Sequence, residues 1–433
     1  MRRALLDRLV VWKNNPRRKP LILNGARQVG KTWLLKEFGR LHFENVAYVS
    51  LDSDVLAQSY FDSGFDIARI IASLSLELGM DIRPGSTLIV LDEVQAAPKA
   101  ITSLKYFCED APEYAVVAAG SLLGISATEG TGFPVGKVNM LDLYPLSFIE
   151  FLDTTGNERF AKLVESGDAE MMSAFSDKLA ELLKQYYVVG GMPEAVNAYI
   201  AEHDVRVART VQQEILNGYV SDFAKHIPSR LLTRTMLAWE SIPRHLSQEN
   251  KKFIFGQVRK GARAADFEES LTWLEQAGLI YKARRVSTPH VPLSGYCSMT
   301  AFKVFMVDVG LLGAMSGLEP RDVVVGNRVF TEFKGALTEQ HICQQLVSEC
   351  GLVPYYWSAE NSSGEIDFLV QNGGSVFAIE VKAEENLRAK SLRAFKDAHP
   401  EVSAVRFSLS GYREQEWMRN VPLYAISCRR LWV

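Results

Sequence analysis

Two separate sets of residues in this 433-residue chain carry the types and spacings that phosphate chemistry needs. The first is GARQVGKT at 25–32, preceded by the apolar run LILN at 21–24 and followed by a helical pattern. Gly25 and Gly30 permit backbone angles and close approaches that a Cβ forbids, so successive amide N–H groups can point inward at an anion. A helix opening near Lys31 adds the positive end of its dipole. Gly25, Ala26, Arg27, Gln28, Val29, Gly30, Lys31, Thr32 and Trp33 are therefore expected to line a nucleotide site. In it Lys31 meets the β/γ-phosphates and Thr32 offers a hydroxyl to Mg²⁺. Further along, STLIVLDE at 86–93 is a continuous apolar strand ending in two acids. Asp92 is expected to hold Mg²⁺ through its shell, and Glu93 to orient and polarise an attacking water.

The second set lies near the other end of the chain. EIDFLV at 365–370 and VFAIEVKA at 376–383 read as two strands joined across an Asn-Gly turn, the strongest short hairpin signal. Such a hairpin brings Asp367 beside Glu380, while Glu380 and Lys382, two apart, share one sheet face. Asp367 and Glu380 would bind a divalent cation, Lys382 would position or deprotonate water, and Glu339 on a preceding helix would add an oxygen ligand. A surface salt-bridge cluster is the alternative for the same residues.

The elements that must position these groups follow from composition and pattern. The chain is 47% hydrophobic and 23% charged with a net charge of −3, ordinary for a globular protein and unlike a uniformly basic nucleic-acid binder. Its length suggests two to four domains at about 100–200 residues each. The five cysteines show no C-x-x-C pair, so reduced thiols and a cytoplasmic setting are expected. No apolar stretch has the length of a membrane span, and the start of the chain reads as an amphipathic helix rather than a signal peptide. Continuous apolar runs at 21–24, 86–91 and 114–119 point to a parallel sheet covered on both faces. Residues 153–235 are helical by pattern. Between 225 and 263 nine basic residues face only Glu240 and Glu249. Lys251, Lys252, Arg259, Lys260 and Arg263 are the candidate nucleic-acid contacts in that stretch. A helix at 264–277 and strands near 279–283 and 302–307 follow in winged-helix order, and a linker is expected near 310–326.

With those residues in place, the chain resembles a prokaryotic family of AAA+ ATPases that carry a C-terminal domain of unknown function with a restriction-endonuclease-like core. The resemblance rests on GARQVGKT (25–32), LDEVQ (91–95), YPLSF (144–148), GGMP (190–193), ENKKF (249–253), KGALTE (334–339) and EIDF (365–368). It implies ATP as the nucleotide, with Mg²⁺, and an α/β fold of four parts. These are a P-loop AAA+ core with a parallel sheet (1–152), a helical lid (153–235), a winged-helix segment (236–310) and a PD-(D/E)xK-like domain (311–433). It also makes Ser121, at the end of a buried strand, a candidate γ-phosphate sensor. Two departures stand out: Lys137 where relatives carry arginine, and Ile366-Asp367 where the motif's Pro-Asp would fall.

The expected function is ATP hydrolysis coupled to action on nucleic acid, DNA before RNA, with the C-terminal domain cutting or holding the strand. Homo-oligomers fit such a protein. The competing expectation is a nucleotide-switched scaffold that regulates a protein partner.

Overall fold

The computed structural model describes residues 1–62, 64–120, 132–325, 328–359, 364–383 and 389–433. The chain divides into two compact units, one of residues 3–144 with 276–278, the other of residues 1–2, 145–275 and 279–433.

The first unit is built on five parallel strands: β1 (Leu21–Asn24), β2 (Asn45–Ser50), β3 (Thr87–Asp92), β4 (Ala115–Ala119) and β5 (Asn139–Asp142), in the order β2-β3-β4-β1-β5. Every residue of β1, β3 and β4 is buried, whereas the edge strands β2 and β5 alternate. That is the distinction their sequences carry, since unbroken apolar runs demand cover on both faces. Helices Lys31–His42, Ile67–Leu78 and Pro98–Asp110 supply buried apolar side chains to the same unit. The helix Leu5–Asn14 is amphipathic as expected, burying Leu5, Leu9 and Trp12.

The second unit joins the helical stretch after residue 145 to an eight-stranded mixed sheet. Its strands are β6 (Ile280–Val286), β7 (Cys297–Met306), β8 (Tyr355–Ser358), β9 (Glu365–Asn372), β10 (Ser375–Val381), β11 (Ser403–Ser408), β12 (Arg413–Glu414) and β13 (Arg419–Pro422). They lie in the order β12-β13-β11-β10-β9-β8-β6-β7. The expected hairpin is present: β9 and β10 pair antiparallel, with Ser375 opposite Asn372 and Gly373 in the left-handed region at φ 56°. The two strands of the expected wing also pair antiparallel, but they do not stand apart. β6 pairs in parallel with β8, so residues 236–310 and 311–433 contribute to one sheet. Likewise the stretch expected as a lid groups with this unit, through buried polar contacts. Tyr186 Oη donates to Leu146 O (2.6 Å) and accepts from Gln344 and Gln345, and Gly191 N donates to Asp308 Oδ2 (2.6 Å).

The linker expected near 310–326 is instead structured. Asp308 caps the helix Val309–Met315, whose buried face includes Val309, Leu311 and Leu312, and a second helix follows at Pro320–Val325. Gly310 misled the reading: a Cβ there would meet the Cα of Gly190 at 2.7 Å, so this glycine serves close packing rather than a flexible joint. Ser147 and Glu150 form the expected capping box at Phe148–Thr154. Among the described residues, no helix is long and apolar enough to cross a membrane.

Candidate nucleotide site and a carboxylate–lysine cluster

β1 ends at Asn24 and the helix Lys31–His42 begins at its second glycine, Gly30, which is left-handed at φ 93°. Between them Gln28 is also left-handed at φ 65°. A Cβ on Gly25 would lie 2.4 Å from the carbonyl oxygen of Leu143, so the loop closes against β5's exit only because residue 25 has none. From the other side Arg3 donates to the carbonyls of Val29 (3.1 Å) and Tyr144 (2.6 Å), pinning the loop.

Lys31 is buried, and its Nζ donates to the carbonyls of Gly25 (3.0 Å) and Ala26 (2.9 Å). Burial pushes the ammonium down to about 8 even though Glu93 and Asp92 pull the other way. Thr32 Oγ1 donates to Asp92 Oδ2 at 2.6 Å, which leaves the hydroxyl's lone pairs for a cation. Tyr48 Oη donates to the same carboxylate oxygen at 2.9 Å, and the backbone N–H of Glu93 binds the other one at 3.0 Å. Burial, then the charge of Asp92, pushes Tyr48 up to about 12, so it stays a donor at any physiological pH. The Nζ of Lys36 sits 3.9 Å above the Tyr48 ring. Glu93 is left-handed at φ 51°, and Gln95 Nε2 donates to its Oε2.

This arrangement suits a nucleotide with a divalent ion. A glycine-tight loop opens onto a helix N-terminus. Its buried cation is bonded only to carbonyls, and its hydroxyl is turned by Asp92 to present lone pairs. Trp33, on the next position, is 42% exposed and so is free to face a ligand. Ser121 lies outside the described residues. Lys137 pairs with Glu109 at 2.8 Å on the surface. Tyr48 went unread in the sequence. Its signal was its place in β2, where Ser50 registers with Asp92 at the carboxyl end of β3.

In the second unit, β9 and β10 pair as far as Phe368 opposite Ile379, and Asp367 and Glu380 are the next residues along the two strands. Glu380 is buried and its Oε1 accepts from Lys382 at 2.8 Å. Asp367 Oδ2 accepts from the N–H of Val381 at 2.8 Å. Glu339, also buried, accepts from Lys251 at 2.7 Å through Oε1, and its Oε2 stands 3.9 Å from Lys303. Lys303, only 1% exposed, lies 2.5 Å from Glu365. Burial would lower the Lys303 ammonium, but Glu339, Glu365 and Asp367 outweigh it and hold it above its usual range. Lys382 is likewise raised: burial opposes charge, and the bond to Glu380 wins. Burial would raise Glu339, but Lys251 and Lys303 hold it below the usual carboxylate range. Burial pushes Asp367 up to about 7, aided by Glu339 and opposed by Lys303.

Two expectations change here. Lys251, read as a surface contact for phosphate, is turned inward against Glu339, with only 13% of its side chain exposed. A buried carboxylate needs a partner, and Lys251 provides it. Arg259, Lys260 and Arg263 are exposed and Lys252 is half-buried. As for a metal, Oε2 of Glu339 and Oε2 of Glu380 are buried without hydrogen-bond partners among the described residues, as cation ligands would be. Yet lysines neutralise the acids, and among the described residues no three His, Cys, Asp or Glu side chains gather closely enough to hold an ion. In this arrangement the set does not fit a divalent centre. Lys303 and Glu365, which complete the cluster, were missed; the only trace of Lys303 was a single cation inside the apolar strand FKVFM at 302–306.

Residues 180–322 match one domain of unknown function (DUF8612) and residues 334–428 another (DUF4143). No curated protein matches the chain. Among solved structures, the chain is similar to a Walker-type ATPase of Pyrococcus abyssi at 15% identity, with 73% of this chain and 95% of that one covered and a TM-score of 0.45. It is also similar to the Orc1 protein of Aeropyrum pernix in complex with DNA (14% identity, 72% and 90% covered, TM-score 0.27). A third is Cdc6p from Pyrobaculum aerophilum (13% identity, 74% and 93% covered, TM-score 0.26). Residues 17–152 match the AAA domain family, so the chain carries an AAA-type ATPase domain and the protein is an ATPase.

Proposed function

We propose that this ATPase couples ATP turnover to the binding of nucleic acid, and that its C-terminal domain holds the strand rather than cutting it. The observation that carries the nucleotide half is the bond from Thr32 to Asp92, which orients one hydroxyl and one carboxylate beside a buried, carboxylate-free Lys31. In this reading Lys31 binds the β/γ-phosphates. The amides of residues 25–30 cradle them, Thr32 and Asp92 hold Mg²⁺, and Glu93 polarises the attacking water. Mg²⁺ held there would supply positive charge against the phosphates. Supporting the nucleic-acid half are the exposed cations Arg259, Lys260 and Arg263, on the turn that leads into the helix Ala264–Gln276, with Lys252 nearby in sequence. The holding role is favoured by the ion pairs of Lys251 with Glu339 and of Lys382 with Glu380, which already set a lysine cation against two of the acids a metal would need.

The test is duplex-DNA binding and DNA-stimulated ATP turnover as salt is raised. Affinity should fall with a slope of about −0.9 per phosphate contact. Reversing Arg259, Lys260 and Arg263 to Glu should weaken binding to all sequences alike. Binding that ignores both salt and charge reversal would move the reading to a protein partner, and Mg²⁺-dependent cleavage lost in Asp367→Ala would restore the nuclease.

A further inference from the structure

The turn after β3 leaves one polar atom unaccounted for. Glu93 is followed by a single 3₁₀ turn, Val94–Ala96, which brings Gln95 back against it so that Gln95 Nε2 donates to Glu93 Oε2. An ionised carboxylate has no proton to give, so the amide must present its NH₂ and its oxygen is left for another donor. That oxygen, Gln95 Oε1, is buried and accepts no hydrogen bond from any described residue. A buried acceptor left unpaired is costly, and a donor therefore belongs beside it. The neighbouring carboxylate narrows the choice. A water at this spot donates one O–H to each of the two acceptors.

We propose that Gln95 is a water-holding residue of the ATPase, its Oε1 and the carboxylate of Glu93 each accepting a hydrogen bond from one O–H of the attacking water. The inference rests on reading Glu93 as the group that polarises that water. The two acceptors fix both O–H bonds, so the water's remaining lone pair is aimed rather than free to tumble. During hydrolysis the water oxygen bonds to the γ-phosphorus as the bond from phosphorus to the β–γ bridging oxygen breaks. The bridging oxygen leaves with the electron pair as ADP. One water proton passes by way of Glu93 to the released phosphate, and the other stays on it.

The test is steady-state ATP hydrolysis by the full chain with Gln95→Met, which keeps the side-chain volume and removes the amide, and with Gln95→Ala. Fluorescent-nucleotide binding is measured alongside. The expected result is a fall in kcat of about 10²-fold, with KM and nucleotide affinity within about twofold of the parent. The double variant Glu93→Gln/Gln95→Met should hydrolyse ATP no more slowly than Glu93→Gln alone, within a few fold, because residues that hold one water act as a unit. Gln95→Met with unchanged kcat beside an inactive Glu93→Gln would overturn the inference and leave the role of Glu93 standing. Full activity in Glu93→Gln would overturn both. Parallel loss of kcat and nucleotide binding in both Gln95 variants would make Gln95 a packing residue and equally overturn the proposal.

Discussion

Two buried lysines in this molecule are treated in opposite ways. Lys31 is bonded to carbonyls, and burial pushes its ammonium down to about 8. Lys303 is buried still more completely, yet Glu339, Glu365 and Asp367 raise it above its ordinary value. The first cation lacks a carboxylate bonded to it and gains most from an anion that arrives; the second has its anions built in. A desolvated charge hydrogen-bonded only to carbonyls marks a site that a charged ligand completes, whereas a desolvated charge inside an ion-pair network marks architecture.

The sharpest way to break this comparison is to remove the architectural lysine. Lys303→Met leaves Glu365 without its lysine and Glu339 with Lys251 alone, and should lower stability by about 3–5 kcal/mol, read by urea unfolding. Lys31→Ala should do the reverse: leave stability within about 1 kcal/mol of the parent, an ordinary small mutational effect, and weaken ATP binding by at least ~100-fold by calorimetry, equivalent to about 2.7 kcal/mol. If Lys31→Ala unfolds the protein as readily as Lys303→Met, the distinction fails.

A smaller effect follows from pH. The folded value of Lys31 lies below its ordinary 10.5, so the ligand-free protein gains stability as pH rises from about 8 toward 10.5, where the unfolded chain holds the extra proton. ATP binding needs that proton, so affinity should weaken above pH 8, at most about tenfold per unit. An affinity flat from pH 7 to 10 would show that Lys31 stays charged and solvated.

The smallest expected effect concerns Asp367. Its folded value, about 7, lies above its ordinary 3.8, so its contribution to stability is fully present below that ordinary value and is lost as pH rises through 7. Asp367→Asn can still accept from the N–H of Val381, and its melting temperature relative to the parent should rise between pH 4 and 8 by a few degrees, the size a ~1 kcal/mol change produces. A pH-independent difference would place Asp367 outside the buried network.

What the sequence disclosed differs between the same two regions. The phosphate loop is a contiguous motif between a strand and a helix, and the buried strands β1, β3 and β4 announce themselves by unbroken apolar runs, so the parallel sheet was legible. The β9–β10 hairpin was legible for the same reason, its register being set by a local turn. The cluster around Lys303 was not. Lys251 meets Glu339 88 positions away, and β6 finds β8 across the whole intervening stretch, so neither contact leaves a local periodicity. Lys251 read as one more member of a basic run because its neighbours Lys252, Arg259 and Lys260 share its sign, although Arg259 and Lys260 are exposed where Lys251 turns inward.

The parallel pairing of β6 with β8 also sets a clock on synthesis. Arg285 in β6 donates to Ser358 O, 73 positions later. At about 5–20 residues per second, roughly 4–15 s pass on the ribosome before the partner strand emerges. Through that interval the β6–β7 ribbon shows the nascent-chain environment an open edge of unpaired N–H and C=O groups, the kind of edge that recruits wrong partners. The yield of correctly folded protein should therefore depend on how quickly residues 287–354 are translated and on what shields β6 meanwhile.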